Sequence, residues 1–128
     1  MDLTPFLAVG FGAFAGAIVR WGLGIALNPI LPTLPLGTLA ANLSGGLLMG
    51  AAMGVFAHFE SLPVAWRLAL ITGFLGGLTT FSTFSGETVT LLLRQQYTWA
   101  AAIIGLHVAG SLAMTLAGIA MVRALLRS

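Results

Sequence analysis

Four long apolar stretches, separated by short polar junctions, divide the chain. They run roughly over residues 3–27, 36–57, 65–93 and 98–126. About 20 consecutive apolar residues let a helix cross a bilayer, so each stretch is predicted to be a transmembrane helix. Turn-forming residues separate them: Asn28-Pro29 with Pro32 and Pro35, then His58 to Pro63, then Arg94-Gln95-Gln96. Trp66, Tyr97 and Trp99 stand beside these junctions, where amphipathic rings favour headgroup level. The expected fold class is an all-α membrane protein, with residues 1–128 forming a single four-helix transmembrane domain.

Small and polar residues inside the stretches are also patterned. Gly12, Gly16 and Gly24 fall at multiples of four, with Arg20 in the remaining slot. Gly46, Gly50 and Gly54 repeat this on the second stretch and continue the face that begins at Asn42. Small residues at this spacing let helix backbones approach closely in lipid, so tight packing is expected of most of them.

The third stretch is about 29 residues long, more than one straight crossing requires. Gly73, Gly76 and Gly77, followed by Thr79 and Thr80, place poor helix formers near its middle. A break there would free backbone carbonyls at mid-membrane depth, tolerated where they line a cavity or hold an ion. A continuous helix that uses its glycines for packing would account for the same residues.

Polar side chains concentrate around that point. Positions 79 to 85 hold five hydroxyl residues and two phenylalanines, and Glu87 follows. Phe81 and Phe84 share a helix face, which Ser85 and Thr88 continue, whereas Ser82 and Thr83 point elsewhere. A phenyl ring has a positive edge, so rings presented edge-on can meet an anion without trapping it as a full charge would. Asn42 adds an amide with two donors, and His107, Ser111 and Thr115 form a polar stripe at four-residue spacing on the fourth stretch. The plainer readings are aromatic packing and hydroxyls bonded to their own helix. Neutral donors on three helices would replace the water around a small, strongly hydrated anion, whereas rings of carbonyls favour cations.

Composition narrows the alternatives. The chain is 59% hydrophobic and 6% charged and has no cysteine, which excludes a disulfide framework and thiol-ligated metal chemistry. Five scattered arginines and no lysine oppose Asp2, Glu60 and Glu87, a distribution unlike a nucleic-acid-binding face. The N-terminus lacks a basic n-region, so the first apolar helix is expected to be retained. With both termini on one side, Arg67, Arg123 and Arg127 face Arg94 and Arg20 across the membrane, a weak bias. A chain so balanced can insert in both orientations and pair antiparallel. Arg20 serves either as an interfacial anchor or as a vestibule charge that concentrates anions. Glu87 either accepts hydrogen bonds from nearby hydroxyls or carries a proton. His58 and His107 lack the companions of a usual zinc site, and no nucleophile or phosphate-binding motif appears, so no enzyme activity is expected.

Gly37-Thr38-Leu39-Ala40-Ala41-Asn42, Gly76-Gly77-Leu78-Thr79-Thr80-Phe81-Ser82-Thr83-Phe84-Ser85 and His107-Val108-Ala109-Gly110-Ser111 resemble the Fluc fluoride-channel family, also called CrcB. The resemblance covers nearly the whole chain, including Gly16-Ala17-Ile18-Val19-Arg20, and the third-helix motif is its most specific part. Gly86 departs from it, standing where a bulkier residue is expected. The resemblance implies a broken third helix, a dual-topology antiparallel homodimer in the bacterial plasma membrane, and two fluoride pores. It further implies a structural, untransported sodium ion (Na+) at the dimer centre, held by the backbone carbonyls of Gly76 and Thr79. Asn42, Phe81, Phe84, Ser82, Thr83, Ser111 and Thr115 would line or flank the pore, with Arg20 and Glu87 as adjacent charges. The implied partners are fluoride, lipid and a second copy of the chain, and the implied function is passive fluoride export. A small proton-coupled multidrug exporter is the alternative, but its essential glutamate belongs in the first helix, where this chain carries Arg20. A non-transporting assembly protein would have no use for a polar stripe at mid-membrane.

Overall fold

A computed structural model describes residues 2–127, and every regular element in that range is helical. α1 covers Thr4–Leu27 and opens with Pro5 in its first turn, where the missing N–H costs nothing. The Asp2 carboxylate accepts the Thr4 N–H at 2.9 Å. That contact holds its carboxyl below the usual aspartate range. A short 3₁₀ turn at Asn28–Ile30 leads to α2, Leu36–His58. Asn28 caps α2 from outside, its Oδ1 accepting the N–H groups of Gly37 (2.7 Å) and Thr38 (3.3 Å). Those are orphan donors of the first helical turn, which otherwise would be unpaired.

The third crossing is broken. Its first half, α3, starts as Val64–Arg67, widens over Leu68–Leu75 into π-helical turns, and closes with Gly76–Leu78. Thr79 (φ −88°, ψ 155°) and Thr80 (φ −150°, ψ 114°) are extended. α4 then runs over Phe81–Leu93, and α5 over Tyr97–Arg127. The α4–α5 turn places Gln95 at φ 60°, a left-handed conformation usually given to glycine.

Four helical stretches are long and apolar enough to cross a membrane: Thr4–Ile30, Leu36–His58, Val64–Leu93 and Tyr97–Arg127. α1 packs along α3, and α2 packs along α5. The glycine pattern explains both pairings. A Cβ at Gly12 or Gly16 would collide with the backbone of α3, and one at Gly73 or Gly77 with that of α1. Across the other seam, a Cβ at Gly46 would meet the Ser111 carbonyl, at Gly50 the Thr115 carbonyl, and at Gly118 the Leu47 carbonyl. Gly24 is looser, its nearest neighbour being Asn28 Nδ2 at 3.4 Å, and Gly86 faces open space. Backbones in lipid gain little from burying one apolar surface on another, so such close approach supplies the van der Waals attraction that holds the seams.

Two buried clusters position the break. Leu34, Leu39, Phe84, Leu91, Ala100 and Ile103 pack between α2, α4 and α5. Ala41, Leu75 and Leu78 pack where α3 ends against α2. Phe6, Phe11, Phe14, Trp21, Leu112 and Leu116 are exposed, as suits surfaces facing lipid.

Candidate functional site

An unbroken helix would give the Thr80 N–H to the Gly76 carbonyl and the Thr83 N–H to the Thr79 carbonyl. Neither bond forms. Thr80 N–H donates instead to Asn42 Oδ1 at 2.8 Å, and Asn42 Nδ2 donates to the Thr80 carbonyl at 3.1 Å. The Asn42 carboxamide therefore pairs with both backbone groups of Thr80, as a neighbouring strand would. Thr83 N–H donates to Thr80 Oγ1 at 3.1 Å, making Thr80 the N-cap of α4. The Thr80 hydroxyl lies 3.1 Å from Thr83 Oγ1 and 3.2 Å from Ser82 Oγ. Thr79 turns back on α3: its N–H (3.0 Å) and its hydroxyl (2.8 Å) both donate to the Leu75 carbonyl.

Arg20 reaches the same point from α1, its Nε donating to the Gly77 carbonyl at 3.0 Å. The cation thus caps the C-terminal end of α3, where the helix dipole is negative. Of the two readings open from sequence, anchor or vestibule charge, neither includes this contact. With Leu75, Gly77 and Thr80 carbonyls occupied, those of Gly76, Leu78 and Thr79 are left without a hydrogen-bond donor among the described residues, and of these three residues Gly76 and Thr79 border the cleft described next.

A cleft of about 530 Å³ opens beside the break, lined among others by Asn42, Thr79, Phe81, Phe84, His107 and Ser111. Gly76, Thr80 and Thr115 border it too. Phe81 is 78% exposed and Phe84 only 7%. Their rings meet edge to face, centroids 5.5 Å apart at 69°. Phe84 in turn stacks on His107 at 4.7 Å and 28°.

The protons on this side follow from Asn42. Its Oδ1 is fixed by the Thr80 N–H, so its nitrogen is the atom 2.9 Å from His107 Nδ1. An amide nitrogen only donates; Nδ1 therefore accepts and Nε2 bears the ring proton. His107 is 4% exposed, and Nε2 has no partner among the described residues. Both amide hydrogens of Asn42 are thus committed within the protein. Thr115 is committed as well, its Oγ1 lying 3.0 Å from the carbonyls of Gly46 and Ser111. Ser111 lines the cleft and has no side-chain partner among the described residues.

Ser82 and Thr83 are exposed and lie apart from this cleft. Thr83 borders two other recesses. One, about 310 Å³, also has Arg20, Thr38 and Thr80 in its wall, and the other, about 500 Å³, has Glu87 and Arg94. Glu87 Oε2 accepts the Thr38 hydroxyl at 2.7 Å, whereas Oε1 is buried without a partner among the described residues. Polar residues therefore gather on both sides of the phenylalanine pair. Sequence reasoning missed Thr38 and the Asn28 cap. Thr38 lies four residues before Asn42, on the same helix face, and that spacing was the available signal.

A family profile described as CrcB-like protein, Camphor Resistance (CrcB), matches residues 7–119. The chain belongs to the CrcB family. The match takes in the break, Arg20, Asn42, the phenylalanine pair and the α5 stripe. Among relatives of this CrcB chain is a protein of Nitrosospira multiformis, 61% identical over 123 residues that cover 96% of each chain. One from Tolumonas auensis is 56% identical over 126 residues, covering 98% of this chain and 99% of its own. One from Nitrosomonas europaea is 56% identical over 118 residues, covering 92% and 93%. Each is named fluoride-specific ion channel FluC, and the family is one of channels, not enzymes.

Proposed function

We propose that this chain is a fluoride-selective channel that exports fluoride passively across the bacterial plasma membrane. The observation that carries the reading is 61% identity, over 96% of the chain, to a protein named for that activity. The site is chemically suited to it. Phe81, Phe84, His107 and Ser111 border one cleft without a full positive charge, where the edge of an aromatic ring can meet an anion and Ser111 offers an unengaged hydroxyl. Arg20 and Thr83 border a recess on the other side of the pair, where Arg20 would also raise the local anion concentration. In acid surroundings HF enters as the neutral weak acid and ionises in the more alkaline cytoplasm. The channel then lets fluoride leave down its gradient.

Two copies are inferred to pair antiparallel in dual topology, giving two pores. An exposed Phe81 ring and two undonated carbonyls beside an open cleft support a second copy seated there. Sodium would be held by the Gly76 and Thr79 carbonyls, hard oxygen donors suited to a hard monovalent cation. They fit such an ion because they are unpaired at membrane depth, where an unsatisfied carbonyl is costly. Packing does not require glycine at position 76, whose added Cβ would come no closer than 3.9 Å to Ile71. The ion would serve structure and not be transported.

Expression in a bacterium lacking its own fluoride export should restore growth in fluoride at acid pH. Phe81→Ile should remove that rescue while leaving the dimer intact on crosslinking. Full rescue by a dimeric Phe81→Ile protein would refute the role given to the ring.

A further inference from the structure

A second polar recess lies far from the break, at the ends of α2 and α5. It measures about 450 Å³, with Met53, Ile119 and Leu126 as apolar lining and His58, Arg123 and Arg127 as polar lining. We propose that it binds the phosphate of an anionic phospholipid, with the acyl chains lying along the apolar residues.

Both arginines are exposed and make no ion pair or hydrogen bond among the described residues. The acids at this end do not neutralise them, since neither Asp2 nor Glu60 lines the recess. Arg67 belongs elsewhere, its guanidinium lying 5.1 Å over the Phe56 ring. Two guanidinium groups therefore face one cavity with their donors unspent, and a planar fork of N–H groups matches phosphate oxygens. A favourable effect on the negative ends of α2 and α5 accounts for cations there, yet it leaves those donors unpaired. The recess sits where the spans Leu36–His58 and Tyr97–Arg127 terminate, at headgroup level. Basic pockets between transmembrane helices at this depth suit anionic headgroups. α2 and α5 lie close together at the recess, where a Cβ at Gly54 would come within 2.9 Å of the Val122 side chain. A free phosphate would gain nothing from the apolar residues, and they favour the lipid as the source of the anion.

Native mass spectrometry of the purified full chain in detergent tests the assignment. Phosphatidylglycerol, phosphatidylcholine and inorganic phosphate are the probes. The expected result is retention of phosphatidylglycerol over phosphatidylcholine by a factor of about 25, each arginine contributing about fivefold. Arg123→Gln with Arg127→Gln should reduce that ratio to about one, whereas Arg94→Gln at the opposite end should leave it unchanged. Equal retention of the two lipids by the parent chain would overturn the proposal, as would a preference that survives in the double variant. Displacement of phosphatidylglycerol by equimolar inorganic phosphate would reassign the site to a free anion. Arg127→Gln alone, at the exposed last turn, gives a test independent of the double variant's folding and should lower the ratio about fivefold.

Discussion

Replacing Asn42 with alanine should do more damage than removing any other single polar side chain in the protein. The carboxamide makes three hydrogen bonds, to the Thr80 N–H, the Thr80 carbonyl and His107 Nδ1. Alanine leaves all three partners unpaired in a region that water does not reach freely. Each unsatisfied buried group costs about 1–3 kcal/mol. Thr80 N–H can recover part of this by closing on the Gly76 carbonyl, so the net loss is about 3–5 kcal/mol. That closure would extend α3 through the break and withdraw the free Gly76 carbonyl. On the scale of soluble domains, such a loss lowers Tm by roughly 10 °C or more. Trp21, Trp66 and Trp99 permit a tryptophan-fluorescence melt in detergent. Asn42→Asp separates geometry from hydrogen bonding, since its carboxylate can accept from Thr80 N–H but cannot donate to the carbonyl or to Nδ1. It should fail nearly as badly. An Asn42→Ala protein that melts within about 2 °C of the parent would refute the clasp, because two lost bonds alone should exceed that shift.

Three further substitutions probe other parts of the account. Gly50→Ala should destabilise by about 1–3 kcal/mol because its Cβ meets the Thr115 carbonyl, whereas Gly105→Ala, with nothing within 4 Å, should be neutral or slightly stabilising in the same melt. Arg20→Ala should cost about 1.5–3 kcal/mol through loss of the charged bond to the Gly77 carbonyl, and parental stability in chemical denaturation would remove the capping role. Gln95→Gly should stabilise by a few tenths to about 1 kcal/mol, since glycine relieves the left-handed φ of 60° at the α4–α5 turn. A lower melting point for Gln95→Gly would show that the glutamine side chain outweighs its backbone cost.

Apolar run length made the four crossings legible, and four-residue spacing made the glycine seams legible. The break was legible in kind but not in its mechanism. Glycines looked like its cause, yet no described glycine takes a positive φ, and Gly73 and Gly77 spend their missing side chains on contact with α1. The extended residues are Thr79 and Thr80, whose β-branched side chains favour extended backbone and whose hydroxyls cap the flanking turns. What closes the break comes from elsewhere in the chain: Asn42 lies 38 residues from Thr80, and Arg20 lies 57 residues from Gly77. Local patterns carry no trace of pairings at that separation. For the same reason Asn42 looked like a free donor, although both its hydrogens are committed. The π-helical widening of α3 was likewise invisible, because its residues, Leu68–Leu75, read as an ordinary apolar helix.

The most direct test is ion efflux from liposomes containing the purified protein alone, followed by a fluoride-selective electrode with chloride as the control. Fast fluoride release with negligible chloride release is the predicted result. A folded, reconstituted protein that releases no fluoride, or releases both anions equally, would contradict the central claim.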